Sequence, residues 1–400
     1  MYHVRNITED LFYVGGSDRR ISQFENLFPI PRGVSYNSYL LRDEQTVLFD
    51  TVDHAVSRVF LENVEHVLDG RSLDYLIINH MEPDHNAVIA EILLRYPEVT
   101  LVGNAKTFTF MDQFFGAGLQ AKRQVVREGD VLTAGSHTLR FVMMPMVHWP
   151  EAMATFDEKD RILFSADAFG SFGALGGNIF DDELAIERDW LPDARRYYAN
   201  IVGKYGPQVQ AVLKKAAALP VRTICPLHGP IWRSKMDLIL EKYQLWSTGQ
   251  PEERGVLIAY ASMYGDTAEA ADYLAMALAD RGVREIEVRD ISRTHVSELI
   301  AGIFCKSHIV LAAPTYNNGL YPLMENLLHD MEALGVQNRC AAVIENGTWA
   351  PQSGRKMTEH LAALKNVTVL QPVITLRSAC SECQKQDLDA LADTLAEQLG

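Results

Sequence analysis

The chain has 400 residues, 48% hydrophobic and 22% charged, with 52 acidic against 37 basic side chains and a formal net charge of -15. Single cores stop growing near ~250–300 residues, so two domains are expected. The acidic balance argues against nucleic acid and anionic membrane surfaces as partners, because both need a basic face. No run of about 18 apolar residues occurs, so no membrane span is expected. The opening MYHVRNITEDLFYVGG lacks the apolar core of a signal peptide, which suggests a cytoplasmic protein.

In chain order, DLFYVGG, SYNSYLLRDEQTVLFDTVD and SHTLRFVMMPM read as strands, and VSRVFLENVEHVL and NAVIAEILLRY read as helices. That pattern suits mixed sheets covered by helices. The amphipathic KMDLILEKYQLW is followed by the polar STGQPEER and then the apolar GVLIAYA, so a boundary is expected near residue 250, giving domains 1–250 and 251–400. Beyond it we expect strand 255–261, helix 268–281, strand 285–289, strand 308–313, helix 322–334, strand 340–345, helix 355–364, strand 367–374 and helix 386–399. Strand-helix alternation of this kind reads as a parallel, doubly wound α/β domain. Five scattered cysteines do not make a disulfide framework, and Cys380 with Cys383 reads as incidental thiols rather than a redox or zinc pair.

The stretch NHMEPDH, residues 79–85, places His80, Glu82, Asp84 and His85 directly after the apolar strand LDYLIINH. His148 after LRFVMMPMV, Asp167 after RILFSA and His228 after VRTICPL occupy similar strand ends, where open α/β architectures put ligands. Taken singly, each has a plain structural reading: Asp167 as a turn or cap residue, the histidines as satisfied core residues. Together they would be several buried charges with nothing to offset them, which favours a metal centre.

The pattern H-x-[EH]-x-D-H followed by distant His, Asp and His resembles the metallo-β-lactamase superfamily. With Glu82 where the zinc hydrolases carry His, HMEPDH resembles the flavodiiron proteins (A-type flavoproteins), as do RRYYANI (195–201) and HGPIWR (228–233). The resemblance spans the chain and implies an α/β protein: an N-terminal metallo-β-lactamase-like αββα sandwich followed by a flavodoxin-like doubly wound parallel sheet. It implies two non-haem irons, one held by His80, Glu82 and His148, the other by Asp84, His85 and His228, with Asp167 bridging. His85 binds directly or stays just outside. Added carboxylate suits iron that cycles between ferrous and ferric states.

YASMYGDTAEAA (260–271) leaves a strand and enters a helix through Ser262, Met263, Tyr264, Gly265, Asp266 and Thr267, whose hydroxyls and backbone N–H groups can cradle a phosphate. It resembles the flavodoxin FMN-phosphate loop, with Tyr264 in place of a small hydroxyl residue; Asp266 would have to point outward. APTYNNGLYP supplies Pro314, Thr315, Tyr316, Asn317, Asn318 and Gly319, and ENGTWAPQSG supplies Asn346, Gly347, Thr348 and Trp349, matching the loops on the two sides of the flavin ring. The second of these departs from the Gly-Ser-Tyr-Gly-Trp type of many relatives.

The resemblance implies a flavodiiron oxidoreductase that reduces O2 to water, NO to N2O, or both, with electrons delivered through FMN. Tyr197, or Tyr198 beside it, would donate a hydrogen bond to bound oxygen species. A head-to-tail homodimer or dimer of dimers would bring FMN of one subunit to the irons of another. The chain ends without rubredoxin-type Cys-x-x-Cys pairs, so rubredoxin or another reduced carrier is the expected donor. The competing readings are a zinc-dependent hydrolase of β-lactamase-like fold with an accessory flavodoxin-like domain, and a gas or redox sensor without turnover.

Overall fold

The computed structural model describes residues 1–116 and 119–400. The chain divides into two compact units, Met1–Tyr198 with Pro207–Gln244, and Ala199–Gly206 with Leu245–Gly400. The short segment Ala199–Gly206 thus packs with the second unit although it lies far ahead of residue 250.

The first unit holds a seven-stranded and a five-stranded sheet. The seven-stranded sheet runs antiparallel through Arg5–Asn6, Leu11–Tyr13, Tyr39–Arg42 and Thr46–Phe49, then parallel through Tyr75–Ile77, Thr100–Gly103 and Lys122–Val125. The five-stranded sheet runs antiparallel from Val131–Ala134 through His137–Met143 and Met153–Asp157 to Ile162–Phe164, which pairs parallel with Thr223–Cys225. Phe49 of one sheet stacks on Phe164 of the other at 3.8 Å, so the aromatic core lies between the sheets. Helices cover the outer faces; Ser57–Leu68 does so by turning Phe60, Leu61, Val64, Val67 and Leu68 inward at helical spacing.

In the second unit the parallel strands follow the order Ile286–Asp290, Glu253–Tyr260, Lys306–Pro314, Cys340–Asn346, with Thr368–Val369 and Ile374–Leu376 on the last edge. This is the 2-1-3-4-5 order of flavodoxin-like sheets, whose switch point falls between the first and third strands. Two elements differ from the sequence reading. Helix Val296–Cys305 was not expected, because VSELIAGIFC is buried on nearly all sides and carries no polar stripe to mark its period. The expected strand 367–374 is broken into two short pieces around Gln371–Pro372, since Pro cannot donate to a ladder. In the first unit, the helix expected over NAVIAEILLRY is confined to Ile89–Arg95, and a separate short turn of helix, Pro83–Asn86, precedes it. Among the described residues no helix is long and apolar enough to cross a membrane.

Candidate metal centre and nucleotide cleft

All seven residues singled out as ligands converge in the first unit, five on loops that follow strands and two, Asp84 and His85, on the short helix Pro83–Asn86. His80 lies three residues beyond Tyr75–Ile77, Asp167 three beyond Ile162–Phe164, and His228 three beyond Thr223–Cys225. The loops are held in strained backbone: Asp50, Ala166 and Phe169 are left-handed, and Gly229, at φ 73°, would put a Cβ 2.9 Å from Ser171. His80, Glu82, His148 and Asp167 form one group of potential ligand atoms, and Asp84, His85 and His228 form a second.

Asp167 faces both groups. Its Oδ2 lies 3.2 Å from His80 Nε2 and 3.1 Å from His148 Nε2, while its Oδ1 lies 3.1 Å from His85 Nε2 and 3.7 Å from His228 Nε2. Glu82 Oε2 lies 3.2 Å from His80 Nε2 and 2.9 Å from His148 Nε2. Asp84 lies 3.5 Å from His85 Nε2 through Oδ1 and 3.3 Å from His228 Nε2 through Oδ2. His85 therefore points inward with the others.

Burial opposes the charged forms of His80, His85 and His148, yet the carboxylates prevail. Asp167, Glu151 and Glu82 hold His80 well above the ordinary histidine range; Asp84 and Asp167 raise His85 to about 9, and Asp167 and Glu82 raise His148 to about 9. The same pairs hold Glu82 and Asp167 below the ordinary carboxylate range against the opposing effect of burial. Hydrogen bonds do not complete the arrangement. Both oxygens of Asp84, Asp167 Oδ1, both nitrogens of His85 and His228 Nε2 are buried without a hydrogen-bond partner. Buried polar atoms left so are rare. Four imidazoles and three carboxylates converging on shared points, with no thiolate among them, fit two divalent ions of the iron, manganese or zinc type.

Sequence reasoning missed several neighbours of this centre. Asp50 accepts from the backbone N–H of Asn79 (2.7 Å) and His80 (3.2 Å) and from Asn79 Nδ2 (2.8 Å), fixing the ligand loop; burial pushes it up to about 6. Glu151 accepts from His80 Nδ1–H at 2.8 Å. His228 Nδ1–H donates to the Ser35 carbonyl at 2.7 Å. Glu25 lines a cleft of about 370 Å³ together with Phe24, Tyr36, Glu82 and Asp84, and burial with the Glu82 carboxylate raises it to about 8. The cleft identifies what the segment 20–32 borders. None of these residues sits in a motif, so the chain alone gives no signal for them beyond a carboxylate three residues after His148. Tyr197 is fully buried, and its ring lies 5.6 Å from that of His228; Tyr198 instead packs edge-on against Tyr243 at 4.9 Å.

The second unit has a cleft of about 600 Å³ at the C-terminal ends of its first, third and fourth strands. Ser262, Met263, Tyr264, Asp266 and Thr267 line it, with Pro314, Thr315, Tyr316, Asn317 and Asn318 from the second loop and Asn346, Gly347, Thr348 and Trp349 from the third. Two expected residues do not line it. Gly265 adopts φ 110° as the cap of helix Asp266–Asp280 and its N–H donates to Ser262 Oγ (3.1 Å); Gly319 closes the second loop by donating to the Tyr316 carbonyl at 2.7 Å. Ser378, not anticipated, also lines the cleft, and its N–H donates to Asn346 Oδ1. The helix Asp266–Asp280 has no side-chain cap, so its first N–H groups remain for an anion such as a phosphate. The cleft size falls within the range of cofactor sites. Tyr264 and Trp349, 93% and 77% exposed, stand at its rim.

Residues 34–229 match a family model described as ODP family beta lactamase. The anaerobic nitric oxide reductase flavorubredoxin of Escherichia coli K12 is 31% identical over 364 residues, covering 89% of this chain and 74% of its own length. Rubredoxin oxygen:oxidoreductase from Desulfovibrio gigas superposes with a TM-score of 0.92 at 27% identity, covering 99% of this chain and 98% of that one. The flavodiiron protein from Giardia intestinalis shares the fold, with a TM-score of 0.88 at 23% identity over 100% of this chain and 98% of its own. The chain belongs to the flavodiiron protein family. Its first unit has the metallo-β-lactamase-like fold and its second the flavodoxin-like fold.

Proposed function

We propose that the chain is a flavodiiron oxidoreductase that reduces O2 to water, NO to N2O, or both. The observation that carries this reading is Asp167, a single carboxylate whose two oxygens face two separate ligand groups. His80, Glu82 and His148 would hold one iron, Asp84, His85 and His228 the other, and Asp167 both. Two irons side by side supply a place for a diatomic gas and the electrons to reduce it, and FMN in the second unit supplies electrons in pairs or singly. FMN would sit in the 600 Å³ cleft, with its phosphate at the loop 262–267 and its ring between the loops of Tyr316 and Trp349.

The protein's own residues set the conditions. The carboxylates Glu82, Asp84 and Asp167 attract cations and orient the four imidazoles. Asp50 and Ser35 lock the ligand loops. Burial, with Asp167, Glu82 and Asp84 adding to it, holds the Tyr197 phenol well above its ordinary value, so it keeps its proton and can donate a hydrogen bond toward the centre. The carrier would be rubredoxin or a protein of similar chemistry, and a head-to-tail dimer or dimer of dimers would bring the flavin of one subunit to the metals of its partner. Residues 1–250 would then form the metal domain and 251–400 the flavin domain.

The test is gas consumption by the iron- and FMN-loaded chain with reduced rubredoxin. Sustained loss of O2 or NO is expected, and Asp167→Asn should abolish it while rubredoxin still reduces the flavin. Flavin reduction without gas consumption by the unaltered chain would overturn the proposal.

A further inference from the structure

We infer that Glu151 makes the two metal positions unequal, so that the ion held by His80, Glu82 and His148 is retained more tightly than the one held by Asp84, His85 and His228. This rests on the dinuclear reading above. Glu151 lies in the turn between His148 and strand Met153–Asp157, and its carboxylate is wholly buried. Its Oε1 accepts two hydrogen bonds, from His80 Nδ1–H at 2.8 Å and from the Met81 backbone N–H at 2.9 Å. The Glu151 carbonyl is in turn pinned by Asn104 Nδ2 at 2.6 Å, which fixes the side chain's root. The other oxygen, Oε2, is buried with no hydrogen-bond partner. A carboxylate oxygen buried without a donor is an incomplete arrangement that a nearby cation would complete. The nearest route to one is through the His80 ring, whose Nε2 faces Glu82 and Asp167.

The chemistry follows from the ring. A carboxylate drawing on the Nδ1 proton makes the opposite Nε2 a stronger donor, and such outer partners tune how firmly a metal is held. The second position has no equivalent. His228 gives its Nδ1 proton to a neutral carbonyl, that of Ser35, at 2.7 Å. His85 makes no hydrogen bond from either nitrogen. Asp50, accepting from the His80 backbone N–H at 3.2 Å, adds a second buried carboxylate on the His80 side. Both groups share Asp167 and have one further carboxylate each, so the outer residues decide which ion is kept. Glu151 is thus a positioning residue that acts through His80.

The test uses the iron-loaded full chain, exposed anaerobically to a strong chelator while released iron is counted. Two phases of about equal amplitude are expected. Glu151→Gln, which keeps the shape and removes the charge, should speed the slow phase by about 10-fold or more and leave the fast phase alone, in line with the usual cost of losing an outer partner. FMN content and thermal unfolding of the same samples report whether the variant is folded; if Gln does not fold, Glu151→Asp, too short to reach His80, is read in the same way. Release in a single phase, or equal acceleration of both phases by Glu151→Gln, would overturn the inference while leaving the dinuclear centre standing. A well-folded chain that retains no iron would overturn both.

Discussion

His137 shows how one side chain can look like part of a site without being one. It is fully buried, with Nδ1 2.9 Å from Asp157 and Nε2 2.9 Å from Asp10, and Asp160 completes a possible metal triad. Lys159 Nζ, however, lies 2.8 Å from both Asp10 and His137 Nε2 and takes the place of a cation. Burial disfavours the charged ring, but Asp157 and Asp10 raise it to about 9. Because the folded value is the higher one, its contribution is present in full below the unfolded value near 6.5 and lost as pH rises through 9. The gap in urea midpoint between the natural chain and His137→Ala should therefore be large at pH 6 and shrink toward pH 10. A gap constant across that range would contradict the ion-pair account. At this scale the sequence was partly legible: His80, Glu82, Asp84, His85, His148, Asp167 and His228 stood out because polar residues at the ends of apolar strands have no place in a core. Glu151 and Asp50 did not, because a lone carboxylate in a turn reads the same whether it faces water or the back of a ligand.

Among the elements, helix Val296–Cys305 depends on one distant residue. Arg339, buried in the second unit, donates Nε–H to the Ile303 carbonyl (2.8 Å) and Nη2–H to the Phe304 carbonyl (3.0 Å), two of the last acceptors of that helix. Its Nη1 donates to the carbonyls of Gly249 (2.7 Å) and Gln337 (2.8 Å). Burial brings its guanidinium down to about 10, which still leaves it charged near neutrality. Arg339→Met keeps the bulk and orphans these carbonyls, so a loss of about 3 kcal/mol is expected. It should appear as a lower urea midpoint for flavin release, with saturating FMN binding retained; an unchanged midpoint would refute the capping role. The sequence could not show this helix, since a segment apolar on every face lacks the periodicity that marks an amphipathic one. The strands and helices of the flavodoxin-like order were readable because each apolar run is separated from the next by a polar helix face or a turn.

For the whole molecule, the two sites read from the sequence lie one in each unit: the seven ligands converge within the first, and fourteen of the sixteen residues expected to contact the flavin line the cleft of the second, Gly265 and Gly319 being the exceptions. The fold was legible because it rests on strand-helix alternation and strand-end motifs; the outer residues of each site were not, because they meet only once the chain has folded. Metal loading should also follow pH. Four imidazoles in the centre must be neutral to bind, and His85 and His148 carry raised values of about 9, so metal affinity should climb as pH rises toward 9, read by competition with a chelator of known affinity. A pH-independent affinity would count against those imidazoles as ligands. The central claim is that one chain carries both a dinuclear iron centre and a flavin. Iron, zinc and FMN content per chain after anaerobic purification tests it most directly: about two irons and one FMN are predicted, and two zincs with no flavin, under conditions that retain labile cofactors, would contradict it.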